Sequence, residues 1–83
     1  MTGRSEQMLA ELKQAADERR GHVDRILVRS LSVHVNGWKI TPVYEPTLKH
    51  WCYARETRGA QFIAKHEVSA AAIIARCTTE QGA

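Results

Sequence analysis

Residues 31–44 read LSVHVNGWKITPVY, and this stretch decides how the rest of the chain can fold. Apolar residues alternate on both sides of Asn36-Gly37. That pair favours a two-residue type I′ turn, because both central positions take positive φ. A turn there sets Val35 opposite Trp38, Val33 opposite Ile40, Leu31 opposite Pro42 and Arg29 opposite Tyr44. One face of the ribbon then collects Leu31, Val33, Val35, Trp38, Ile40 and Tyr44, enough apolar surface to seat a helix. Trp38 is therefore expected in the core and not on a binding surface.

Working outward, the first strand is predicted over 24–35. Ile26 and Val28 share one face, while Leu27, Leu31, Val33 and Val35 share the other, which requires burial on both sides or a bulge. The second strand runs from Trp38 to Tyr44. Pro42 lacks an N–H, so this strand is expected to be an edge or to end near that point. Glu45-Pro46-Thr47 reads as a turn. A second hairpin is predicted from strands 50–56 and 60–65, joined by Thr57-Arg58-Gly59 with the glycine in the left-handed conformation. Its register pairs Glu56 with Ala60, Ala54 with Phe62 and Cys52 with Ala64 on one face. The other face pairs Arg55 with Gln61, Tyr53 with Ile63 and Trp51 with Lys65.

Helical periodicity marks the two ends. Over 4–20, Met8, Leu12, Ala15 and Arg19 form a stripe flanked by Leu9 and Ala16, with Ser5 or Thr2 to cap the start and Gly21 to end it. Over 67–77, Val68, Ala71, Ala72 and Ala75 form a stripe that Ile73, Ile74 and Cys77 widen. The order is α-β-β-β-β-α. The expected fold class is α+β: one small domain over 1–83, with an antiparallel four-stranded sheet from two hairpins packed with both helices; a three-stranded sheet is the smaller alternative.

At 83 residues, a cofactor domain plus a substrate domain is excluded. A chain this short buries only about 60–65% of its unfolded surface, so its stability is expected to be a few kcal/mol. Residues 1–14 are polar and amphipathic, with no apolar h-region, and no run approaches a membrane span of about 18 apolar residues. The expected location is the cytoplasm. Net charge is +3. Its distribution is uneven: residues 25–66 hold seven basic and two acidic side chains. A basic sheet region suits an anionic partner, or lysines and arginines placed on sheet edges.

Chemistry-bearing patterns are sparse. His22, His34, His50, His66, Cys52 and Cys77 are the soft or imidazole donors, without the spacings of a zinc site. A disulfide between Cys52 and Cys77 is geometrically possible, and two thiols in a reducing compartment are the simpler reading. Cys52 with His50 or His34 lacks a signal for a lowered thiol pKa. The glycines are isolated, so no loop cradles a phosphate. No catalytic, metal or cofactor residue is assigned, and a non-enzymatic protein is expected.

The second hairpin offers two orientations. If Cys52, Ala54, Phe62 and Ala64 face the helices, then Lys49, Trp51, Tyr53, Arg55, Ile63 and Lys65 face away. Aromatics among basic side chains stack single-stranded bases or anchor protein partners. In the other orientation Trp51, Tyr53 and Ile63 are core. The candidate partner-binding residues are Trp51, Tyr53, Arg55, Arg58 and Lys65, with Arg25 and Arg29 next.

In size and make-up the chain resembles the small proteins with which phages and plasmids disable host defences, anti-CRISPR proteins among them. Those are short, single-domain, α+β and free of catalytic motifs, and the resemblance assigns no residues. The strand-then-helix ending over Phe62–Arg76 is similar in outline to small three-stranded DNA-binding domains, and the α-β-β-β-α order resembles that of double-stranded RNA-binding domains. Glu67-Val68-Ser69-Ala70 lacks the lysine pair that the RNA-binding type carries there. The resemblance implies a phage- or mobile-element-encoded inhibitor that sterically blocks a host protein or nucleoprotein complex. The alternative is a nucleic-acid-binding module using the basic-aromatic face. No membrane partner is expected, and both monomer and homodimer are open.

Overall fold

The Asn36-Gly37 turn forms with φ of 52° at Asn36 and 87° at Gly37, the positive pair that a type I′ turn requires. Val35 pairs with Trp38 and Val33 with Ile40, in the register the turn dictates. The computed structural model describes residues 3–19, 26–57 and 64–79, and of residues 64–66 the backbone alone.

The elements are α1 (Arg4–Glu18), β1 (Ile26–Val28), β2 (Val33–Val35), β3 (Trp38–Glu45), β4 (His50–Thr57), β5 (Ala64–Glu67) and α2 (Ala70–Thr79). The strands form one antiparallel sheet in chain order, open at β1 and β5. The α+β architecture, with one helix before and one helix after an antiparallel sheet in the chain, is the expected one. The first strand segment differs in one respect: 24–35 is not one strand. It doubles back at Arg29–Ser32, where the Arg29 N–H donates to the Ser32 carbonyl at 2.9 Å. Leu31 therefore sits in a turn, 76% exposed, and does not face Pro42. The doubling lets Ile26 join the same apolar face as Val35, its partner. It also resolves the two-faced apolar pattern, since Leu27 stays 52% exposed on the opposite side.

Pro42 lies within β3, between β2 and β4, yet its missing N–H is tolerated. β2 accompanies β3 only over residues 38–40, so from Thr41 onward that side of β3 is an edge.

Both helices pack on one sheet face. α1 contributes Met8, Leu9, Leu12, Ala15 and Ala16; α2 contributes Ile73, Ile74 and Cys77; the sheet contributes Val33, Val35, Trp38, Ile40 and Tyr53. Each large apolar side chain in this set stabilises by roughly 1.5–3 kcal/mol. Two helix expectations are corrected. The cap of α1 is Gly3 and makes no side-chain cap bond, with Ser5 already inside the first turn. Glu67 belongs to β5, so α2 starts later. Ser69 holds its first turn: its Oγ accepts from the Ala72 N–H at 3.3 Å, and its carbonyl accepts from the Ile73 N–H at 3.1 Å. The buried stripe of α2 is Ile73, Ile74 and Cys77, while Val68, Ala71 and Ala72 are exposed. Two isoleucines bury more apolar area than alanines do, and that sets the rotation of the helix.

The last turn of α2 is tied on two sides. Arg76 pairs with Glu67 at 3.3 Å, joining the helix to β5. Asn36 Nδ2 donates to the Cys77 carbonyl at 3.2 Å, so the turn that organises β2 and β3 also satisfies an acceptor in the last turn of α2.

Candidate functional site

β3 and β4 pair over their whole length, from Trp38↔Thr57 to Glu45↔His50. This register is what orients β4. Trp38 and Ile40 face the helices, so their partners Thr57 and Arg55 do too, and alternation adds Tyr53 and Trp51. Cys52, Ala54 and Glu56 take the opposite face. Of the two orientations allowed by the sequence, the one that buries the aromatics is the one formed.

Two of the candidate binding residues are therefore structural. Tyr53 is fully buried, and its hydroxyl donates to the Met8 carbonyl of α1 at 2.8 Å. Burial is the main cause that pushes its phenol pKa up to about 12, with Glu11 adding to the rise and Arg4 opposing it. Arg55 is 4% exposed, and its guanidinium carbon lies 4.2 Å from the centroid of the Trp38 ring. The core thus holds a cation stacked on an indole, a geometry that favours the planar guanidinium. As an exposed stacking platform, the Tyr53–Arg55 part of the face is corrected.

Trp51 is half-buried and packs against the rim of the core. Its free edge meets Tyr44, with ring centroids 5.8 Å apart and planes at 49°. Tyr44 is 47% exposed, though the alternation of the ribbon had assigned it to the covered face. It lies four residues past Ile40, the last β3 residue paired with β2. Next to this pair, residues 46–49 form the turn between β3 and β4. Lys49 takes φ of 57°, and its N–H donates to the Glu45 carbonyl at 2.8 Å; the Thr47 N–H donates to Glu45 Oε1 at 3.1 Å. The turn holds Leu48 46% exposed. His50, also exposed, places Nδ1 3.2 Å from the Trp51 carbonyl, a contact that needs the proton on Nδ1. Tyr44 and Leu48 are the residues that reading β3 and β4 separately misses. Pairing them across the Glu45–His50 turn brings Tyr44 beside Trp51.

Arg29 is exposed at the β1–β2 turn, away from this hairpin end. Arg25 and Arg58 lie outside the described residues, as does the side chain of Lys65. The expected pairings of Ala60, Gln61, Phe62 and Ile63 also fall outside them. Where β5 is described, its register differs from the expected one: Ala64 pairs with Arg55 rather than Cys52, and Glu67 with Tyr53, with an irregularity between.

Cys52 and Cys77 are both buried thiols, with the sheet between them: Cys77 is in the helix-side core, whereas Cys52 points to the other face. A bridge between them is ruled out by that placement. Among the described residues, no group of three or more His, Cys, Asp or Glu side chains is arranged to hold a metal ion. No helix among them is long and apolar enough to cross a membrane. No family model matches the chain, and no curated protein or solved structure is significantly similar to it.

Proposed function

We propose that this chain is a non-enzymatic interaction protein, which binds a host protein or nucleoprotein complex and inhibits it by covering its surface. The observation that carries the reading is the end of the β3–β4 hairpin, where exposed Tyr44 meets half-buried Trp51 and the adjoining turn exposes Leu48, Lys49 and His50. An aromatic rooted in a core yet open at one edge loses little side-chain entropy on binding, and Trp and Tyr dominate the energetics of interfaces. In this reading the protein is phage- or mobile-element-encoded and acts in the host cytoplasm, as a monomer or homodimer.

The test is capture from bacterial lysate by the immobilised chain at low salt, compared with Tyr44→Ala and Leu48→Ser. Removing a central aromatic anchor weakens binding by about 2 kcal/mol, roughly thirtyfold. Capture that both variants retain at wild-type strength, with melting temperatures unchanged, refutes the proposal.

A second reading, nucleic-acid binding, draws on Lys49 and His50 flanking the Tyr44–Trp51 pair. It predicts strong salt dependence, with each duplex phosphate contact adding about 0.9 to the log–log slope. A mobility-shift titration on duplex, single strands and RNA that shows no complex at micromolar protein removes it.

A further inference from the structure

The corner between β1 and β2 gathers polar groups on the sheet face opposite the helices. The Arg29–Ser32 turn brings the two residues together. Ser32 Oγ lies 3.4 Å from Nε2 of His34, two residues on and on the same side. Lys39 stands directly opposite His34 in the β2–β3 pair, a position in which Cβ atoms are about 4.5–5.5 Å apart. Lys39 thus faces a half-buried imidazole across the strands, and Arg29 acts on it electrostatically from the adjoining turn. Both charges act on it: desolvation first, then Arg29, then Lys39 hold the His34 pKa below its usual 6.5, and Glu56 opposes them in part. Glu56 is engaged with Lys39 at 3.7 Å. Across from His34 on the other side, Leu27 is apolar.

Arg29 and Lys39 outnumber the one carboxylate, Glu56, that acts on the same imidazole, and such an excess of like charge is unfavourable. We propose that Arg29, Ser32, His34 and Lys39 form a binding site for a tetrahedral oxyanion of the sulfate or phosphate class. The guanidinium, the ammonium, the serine hydroxyl and a ring N–H donate to its oxygens, and charge-assisted bonds of this kind are the strong ones. The anion stabilises the imidazolium, so binding and protonation of His34 reinforce each other by linkage. The site lies on the opposite sheet face from the Tyr44–Trp51 rim and does not rest on the function proposed for that rim.

The test follows the His34 ring proton by NMR through a pH titration in sodium chloride and in sodium sulfate at equal ionic strength. Sulfate keeps its charge across the range, and His22, His50 and His66 report the general effect of salt. The His34 midpoint is expected below 6.5 in chloride and higher by about half a unit or more in sulfate, which corresponds to about threefold tighter binding to the protonated form. Arg29→Ala and Lys39→Ala, both at exposed positions, are expected to abolish the difference while the spectrum stays that of the folded chain. Equal midpoints in the two salts overturn the proposal. So does an equal shift of all four histidines, or a shift that survives both variants. Arms with inorganic phosphate and with a short oligonucleotide tell a free anion from a backbone phosphate, since a small-anion site responds only to the former.

Discussion

Replacing Tyr53 by phenylalanine tests the junction between sheet and helix. The ring is fully buried and its hydroxyl donates to the Met8 carbonyl at 2.8 Å, so the substitution removes one buried hydrogen bond and almost no apolar area. The cost at neutral pH is about 1 kcal/mol. For a chain of 83 residues, an unfolding entropy near 2.1 cal/mol/K per residue turns that into a fall of about 6 °C in Tm. Alkaline pH reverses the order. The folded phenol has a pKa raised to about 12 from 10.0, so the unfolded chain ionises first. Stability from the neutral phenol is whole below pH 10, declines above it, and is lost as pH rises through the folded value. The phenylalanine variant carries no such group. A difference of about 1 kcal/mol in favour of wild type is offset by about pH 11, where the two curves should cross. Paired urea denaturation at steps from pH 7 to 11.5 reads the difference directly, since other titrations cancel between the two proteins. A gap that stays constant across that range refutes the assignment of Tyr53 as a buried donor to α1.

Three further perturbations probe the frame. Asn36→Ala puts a Cβ without a compensating side chain at φ 52° and removes the bond to the Cys77 carbonyl; a loss of about 2 kcal/mol is expected, whereas Asn36→Gly keeps the turn and should lose about half as much, both by urea denaturation. Lys49→Gly relieves the left-handed conformation at φ 57°, and after the added entropy of the unfolded chain a net gain of about 0.5 kcal/mol is expected in the same assay. Arg55→Ala removes the cation stacked at 4.2 Å on Trp38 together with its buried stem; a loss of about 2 kcal/mol and a shift in tryptophan emission are expected, and an unchanged melting curve would return Arg55 to the list of surface residues.

The legibility of the chain follows the range of the interaction concerned. The helices were readable because Met8, Leu12 and Ala15 repeat along one side of α1, and the period itself is the signal. The candidate site was less so. Trp51, Tyr53 and Arg55 alternate with Cys52 and Ala54, and period-two alternation names two faces without saying which is covered. The missing information was the length of the Glu45–His50 connection: one residue more or less would send Tyr53 and Arg55 outward and Cys52 inward. Ala71 and Ala72 differ from the expected stripe for a related reason, because a helix with apolar residues all round turns its largest ones inward, and Val68 precedes the helix.

What the sequence determined by itself is local. Asn36-Gly37 takes the φ values that only such a pair adopts easily, and with them came the pairing of Val35 with Trp38 and Val33 with Ile40. What only the tertiary structure decided is which side of β4 is core, where 24–35 doubles back, and how far the helices reach along β3. These depend on contacts between segments distant in the chain, as between Tyr53 and Met8, whose free energy belongs to the pair and is written in neither stretch alone. The same reach leaves Tyr44 and the edge of Trp51 uncovered, because the apolar face of β3 and β4 extends beyond the helices that pack on it.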